Sequence, residues 1–188
     1  AFALMIVRLT SRLCTPSLYS RICLPVRRSS NNYRGLEGFR LKKDSRIYIA
    51  GESTMEGKAF IRLIKERNYK NIINLDNGEP DLTNYSLVKK YFKDLRPDYV
   101  FLFAGKSGGI KANQEMPATL MLDNLRIISN VLSAAHKFEV EKLLYLASCC
   151  VYPKHAEQPM HPDMLMAGPL EPTNSSYATA KLAGIELC

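Results

Sequence analysis

A chain of 188 residues has room for about one domain with a real core. Its net charge of +8 resides in residues 1–43, where nine bases between Arg8 and Lys43 face the single acid Glu37, so that residues 44–188 are neutral. A neutral folded part argues against a nucleic-acid surface, arginines interrupt every run that could approach the ~18 apolar residues of a membrane span, and Cys14, Cys23, Cys149, Cys150 and Cys188 show neither metal-type spacing nor a disulfide framework.

Residues 1–43 are rich in Arg and Ser, nearly free of acids and partly amphipathic, the composition of a mitochondrial transit peptide. A matrix-side protein is therefore expected, with a disordered basic tail on a cytoplasmic protein as the alternative. An extension that is retained and ordered needs a surface to hold it.

From residue 44 the pattern alternates. "SRIYIAG" (45–51) reads as a β-strand ending in glycine, and "KAFIRLIKERN" (58–68) as a helix with Phe60, Leu63 and Ile64 inward. "NIINLD" (71–76) is a second strand, and "YSLVKKYFKDL" (85–95) a second helix with Leu87, Val88, Tyr91, Phe92 and Leu95 on one face. "DYVFLFAG" (98–105) is an unbroken apolar strand of the kind buried on both faces. A long helix over 117–137 turns Leu125, Ile128, Leu132 and Ala135 inward, and "KLLYLAS" (142–148) is a further buried strand. This βαβαβαβ order predicts an α/β fold, a doubly wound parallel sheet of Rossmann-like type with right-handed crossovers.

Ligands of such sheets sit beyond the carboxyl ends of the strands. Three loops lie there: the turn "GESTMEG" with Gly51 and Gly57, the loop "AGKSGGIKAN" with Ala104, Gly105 and Lys106, and "ASCCVYP" with Ser148 and Cys150. A glycine turn opening a helix lets backbone approach a dinucleotide pyrophosphate, although an ordinary βα turn looks the same. Asp76 ends the second strand, where an acid favours a ribose hydroxyl and hence NAD. Tyr177 and Lys181, four apart, share one helix face. Hydroxyl, phenol and ammonium converging at one sheet edge suit carbonyl reduction; Tyr177 packing on the sheet, with Cys149 and Cys150 as small buried apolar residues, is the alternative.

Together, "YIAGESTMEGKA", "FAGKSGGIKAN", "LASCCVYPKHAEQPM" and "LEPTNSSYATAKLAGIELC" resemble the GDP-L-fucose synthase family of extended short-chain dehydrogenases/reductases, over about residues 43–188. The resemblance implies an enzyme that uses NADPH to epimerise GDP-4-keto-6-deoxymannose at two carbons and then reduce the ketone. It assigns Tyr177 as the acid protonating the ketone oxygen and Ser148 as its hydrogen-bond partner. Lys181 is assigned to the nicotinamide ribose and to lowering the phenol pKa from ~10, and Cys150 to proton handling during epimerisation. The cofactor set carried over is Gly51, Thr54, Gly57, Asp76, Ala104, Gly105, Lys106, Tyr177 and Lys181, for NADP or NAD, with no metal.

The chain departs from the family's G-x-x-G-x-x-G turn, whose middle glycine is Thr54 here. Glu52 and Glu56 add negative charge beside the phosphates, Ser53 stands where an arginine would clamp a 2′-phosphate, and the family's substrate domain and second epimerisation residue lie beyond Cys188. Two expectations follow. The first is a degenerate family member serving as an accessory or structural subunit, with or without a bound nucleotide, of a mitochondrial assembly whose other protein subunits cover an open sheet edge. The second is the N-terminal part of a functional epimerase/reductase, which takes a nucleotide-sugar when a C-terminal half is supplied.

Overall fold

The computed structural model describes residues 6–10, 22–23, 41–73 and 78–188. Strands β1 (Ile6–Thr10), β2 (Ile22–Cys23), β3 (Ile47–Ala50), β4 (Tyr99–Leu102) and β5 (Lys142–Leu146) form one sheet in the order β2-β1-β5-β4-β3. β3, β4 and β5 run parallel, with Ile47 opposite Tyr99 and Tyr99 opposite Lys142. The helices are α1 (Met55–Glu66), α2 (Tyr85–Leu95), α3 (Gly109–Glu115), α4 (Pro117–Lys137) and α5 (Ser175–Leu187).

Strand alternation sorts the core into two layers. Ile47, Ile49, Tyr99 and Phe101 face Ile64 of α1, with Phe60 against Phe101 in a tilted ring pair 4.3 Å apart. Tyr48, Ala50, Val100, Leu102, Leu143 and Tyr145 point the other way, onto Val88 and Phe92 of α2, Ile128 and Leu132 of α4, and Ile185 of α5. The parallel strands are therefore covered on both faces, as their unbroken apolar runs require.

Two inward assignments on the helices fail. Leu63 is 44 % exposed and Leu87 45 % exposed, because each helix meets the sheet along a stripe centred on Ile64 or on Val88 and Phe92 and leaves its flank in water. The second strand, expected over 71–76, is present as a parallel bridge between Ile72 and Ile47; positions 74–77, including Asp76, lie outside the described residues. Ile72 sits on the outer side of β3 and β4 on its inner side, so the crossovers diverge at β3 and the switch-point crevice opens at the carboxyl ends of β3 and β4.

Residues 1–43 contribute the strands β1 and β2. β1 pairs antiparallel with β5 from Ile6 opposite Leu146 to Thr10 opposite Lys142, and β2 pairs with β1 in turn. No helix among the described residues is long and apolar enough to cross a membrane.

Candidate functional site

The turn from β3 into α1 is built by close backbone contact. Gly51 has φ +95°, and a Cβ there would stand 2.5 Å from Ala104 N; a Cβ on Gly57 would stand 2.1 Å from Gly51 O. Both glycines are thus required for the turn to fold over the end of β4. Thr54 is the N-cap of α1: its hydroxyl donates to Gly51 O at 2.7 Å and accepts from Gly57 N at 3.0 Å. With Gly57 answered in this way, the amides of Met55 and Glu56 remain as donors at the helix mouth among the described residues. The glycine cradle and these two amides fit a dinucleotide phosphate, at reduced strength because Thr54 occupies one donor.

Glu79 enters this turn from the segment after Ile72. Its Oε1 accepts from Gly51 N at 2.7 Å and from the Tyr48 hydroxyl at 2.9 Å. Burial pushes its carboxyl above the ordinary value, the two hydrogen bonds pull it back, and Glu52 adds to the rise.

At the end of β4, Ala104 is buried, whereas Gly105 and Lys106 are exposed. Asn124, buried in α4, holds this loop by its backbone: Lys106 N donates to Asn124 Oδ1 at 3.1 Å, and Asn124 Nδ2 donates to Lys106 O at 2.8 Å and to Leu120 O at 2.7 Å. A Cβ on Gly105 would meet Asn124 Oδ1 at 3.0 Å and Lys181 Nζ at 3.2 Å. The loop after β4 and the helix bearing Lys181 therefore close on one point.

Beyond β5, Ser148 caps a short 3-10 turn, Cys149–Val151, by accepting from Cys150 N at 3.3 Å. Tyr177, in the first turn of α5, is hydrogen-bonded to Ser148 and interacts with Cys150. Lys181 lies one turn on, 4 % exposed, donating to Leu146 O at 3.4 Å with Nζ 5.1 Å from the Tyr145 ring centre and 5.9 Å from that of Tyr177. Ser148, Cys150, Tyr177 and Lys181 are thus brought together, with Gly105 against the lysine.

The phenol is not tuned as the family resemblance implied. Tyr177 is held above its usual pKa, chiefly by burial and then by Cys150, and the bond with Ser148 only partly offsets this. The Lys181 ammonium is directed at the Leu146 carbonyl and lies nearer the Tyr145 ring than that of Tyr177. Burial also pushes Lys181 itself down to about 8, against the pull of Glu56.

Asn124, Glu79 and Asn174 were absent from the residues read off the sequence. The place of Asn124 at helical spacing from Leu120, Ile127, Ile128 and Val131, on the apolar face of its helix, was the available signal for the first; nothing local marked the other two. Among the described residues no group of three His, Cys, Asp or Glu could hold a metal ion.

Residues 47–188 match the model of the NAD dependent epimerase/dehydratase family. The GDP-L-fucose synthase of Escherichia coli K12 is 44 % identical over 143 residues, covering 76 % of this chain and 44 % of the relative. Among solved structures, DdhaC superposes with a TM-score of 0.76 at 43 % identity, over 79 % of this chain and 43 % of that one. A GDP-L-fucose synthetase from Naegleria fowleri bound to NADP gives a TM-score of 0.68 at 30 % identity, over 77 % and 46 %. The chain spans less than half the length of each of these three. With the glycine turn, the serine and the tyrosine–lysine helix in place, it belongs to the NAD dependent epimerase/dehydratase family as a GDP-L-fucose synthase-like Rossmann part.

Proposed function

We propose that this chain is the dinucleotide-binding part of an NADP(H)- or NAD(H)-dependent epimerase/reductase acting on a GDP-linked 4-keto-6-deoxy sugar. The observation that carries the reading is the convergence of the Ser148–Tyr177 hydroxyl pair and the buried Lys181 at the carboxyl end of β5. A residue whose only task was packing would not need a lysine buried at 4 % exposure. When bound, the dinucleotide supplies a hydride. Ser148 and Tyr177 hold the ketone oxygen, Tyr177 gives it a proton, and the raised phenol pKa keeps that proton in place until the oxygen gains charge. Lys181 offers its ammonium to a ribose hydroxyl, and Gly105, without a side chain, leaves the approach open.

Fluorescence titration of NADPH and NADH into the protein tests the reading, with about one dinucleotide bound per chain as the expected result and no binding of either as the result that ends it. In the complete enzyme Tyr177→Phe should lower turnover by about 100-fold or more while dinucleotide affinity changes only a few-fold.

A second reading is favoured by the turn itself. Thr54 takes the Gly57 amide, and Glu52 and Glu56 flank the phosphate position. These features suit a subunit that has left catalysis and serves a multi-subunit mitochondrial assembly. An empty site in natively isolated protein, together with copurifying unrelated chains, is the result that would favour it.

A further inference from the structure

Asn174 stands at the N-cap of α5, where an asparagine ordinarily accepts a hydrogen bond from the first turn of its own helix. It makes no such bond. Its Nδ2 instead donates to Cys150 Sγ at 3.2 Å, reaching from the 3-10 turn Pro172–Asn174 to the turn Cys149–Val151, while its Oδ1 is buried without a partner among the described residues. The side chain has thus given up the helix end for a sulfur. A thiol is a poor acceptor and a thiolate a good one, so an N–H aimed at sulfur favours the charged form and fixes its place. The Cys150 amide is anchored on Ser148 Oγ at 3.3 Å, so backbone and sulfur are each held by a separate bond.

We propose that Asn174 is a positioning residue for Cys150, its amide N–H donating to the sulfur and fixing it beside Ser148 and Tyr177, where it takes and returns a proton. The proposal rests on the reading above, in which Cys150 handles protons on the sugar. The titratable groups that interact with Cys150 are its neighbour Cys149 and, from α5, Tyr177; Glu56 acts one step further out, through Tyr177, and Lys181 through Glu56.

The test is the rate of iodoacetamide alkylation against pH, read separately at Cys150 and Cys149 by fragment-ion mass spectrometry, in the wild type, Asn174→Ala and Asn174→Ser. Serine can cap α5 but is too short to reach the sulfur, so it preserves the helix while removing the contact. In both variants the Cys150 profile should move up by about one pH unit, with an about tenfold slower reaction at neutral pH, a larger displacement than at Cys149, which feels the change only through Cys150. Asn174→Asp, which exchanges the donor for a carboxylate, should move it further. An unmoved Cys150 profile, or a downward shift showing that the amide oxygen accepts from the thiol, overturns the proposal. Failure of the wild type to bind either dinucleotide would end the functional reading and leave the alkylation result standing, so the two failures are separable.

Discussion

Lys181 sets burial against charge more sharply than any other residue of the site. Its folded-state pKa of about 8 lies below the ordinary 10.5 because burial penalises the ammonium. Between those two values the unfolded chain holds a proton that the folded chain has released, so stability rises with pH across that window, and the penalty is fully present below it. At 1.36 kcal/mol per pKa unit its ceiling is about 3 kcal/mol. Lys181→Met, similar in length and without charge, removes the penalty but orphans the Leu146 carbonyl, which costs about 1 kcal/mol. The variant should therefore be more stable than wild type by about 1–2 kcal/mol at pH 7, with the advantage shrinking as pH rises towards 10; urea unfolding at several pH values checks this, and parallel curves would refute it. A gain in stability on removing a residue is what a site held for function predicts. Tyr177 and Lys181 were legible because a 3.6-residue period fixes which face they share. The direction of the phenol shift was not, because it is set first by the burial of the ring and then by Cys150, which a helix period does not encode.

The turn joining β3 to α1 carries two requirements that mutation can separate. The Thr54 cap satisfies a helix end, so Thr54→Ala should cost about 1 kcal/mol and Thr54→Gly only a few tenths. Thr54→Gly also returns the Gly57 amide to the crevice, and it should bind dinucleotide more tightly than wild type in the same titration. Gly57→Ala is a different matter, since its Cβ would stand 2.1 Å from a backbone oxygen that no side-chain rotation can move. It should cost several-fold more than the loss of the cap, at least about 2–3 kcal/mol by urea midpoint; a cost equal to that of Thr54→Ala would mean the turn is pliable. At this scale the sequence was a good guide to helices and buried strands, whose apolar runs state their own burial. It misplaced Leu63 and Leu87, since a wide apolar stripe names more residues than a helix can press onto a sheet.

Across the whole molecule, the three parallel strands and their two covered faces were readable from the alternation of elements, and so was the crevice where the crossovers diverge. What holds the loops around that crevice was not. Asn124 clamps a loop 18 residues away and Glu79 a turn 28 residues away, pairings that no local pattern encodes. The pairing of residues 6–10 with β5 was hidden for another reason: a basic, Ser-rich composition reads as a leader, whereas Val7 lies opposite Ile22 on one side and Tyr145 on the other. The central position of Val7 makes the arrangement testable without altering charge. An interior proline removes a ladder donor and fixes φ, so Val7→Pro should release β1 and uncover the edge of β5. An uncovered edge invites pairing with another chain. Val7→Pro should lower the thermal midpoint by roughly 5–10 °C and make gel-filtration elution depend on protein concentration; dinucleotide affinity should fall with them, because Leu146, which holds Lys181, lies opposite Ile6 of the released strand. Unaltered melting and elution would show that β5 does not depend on β1.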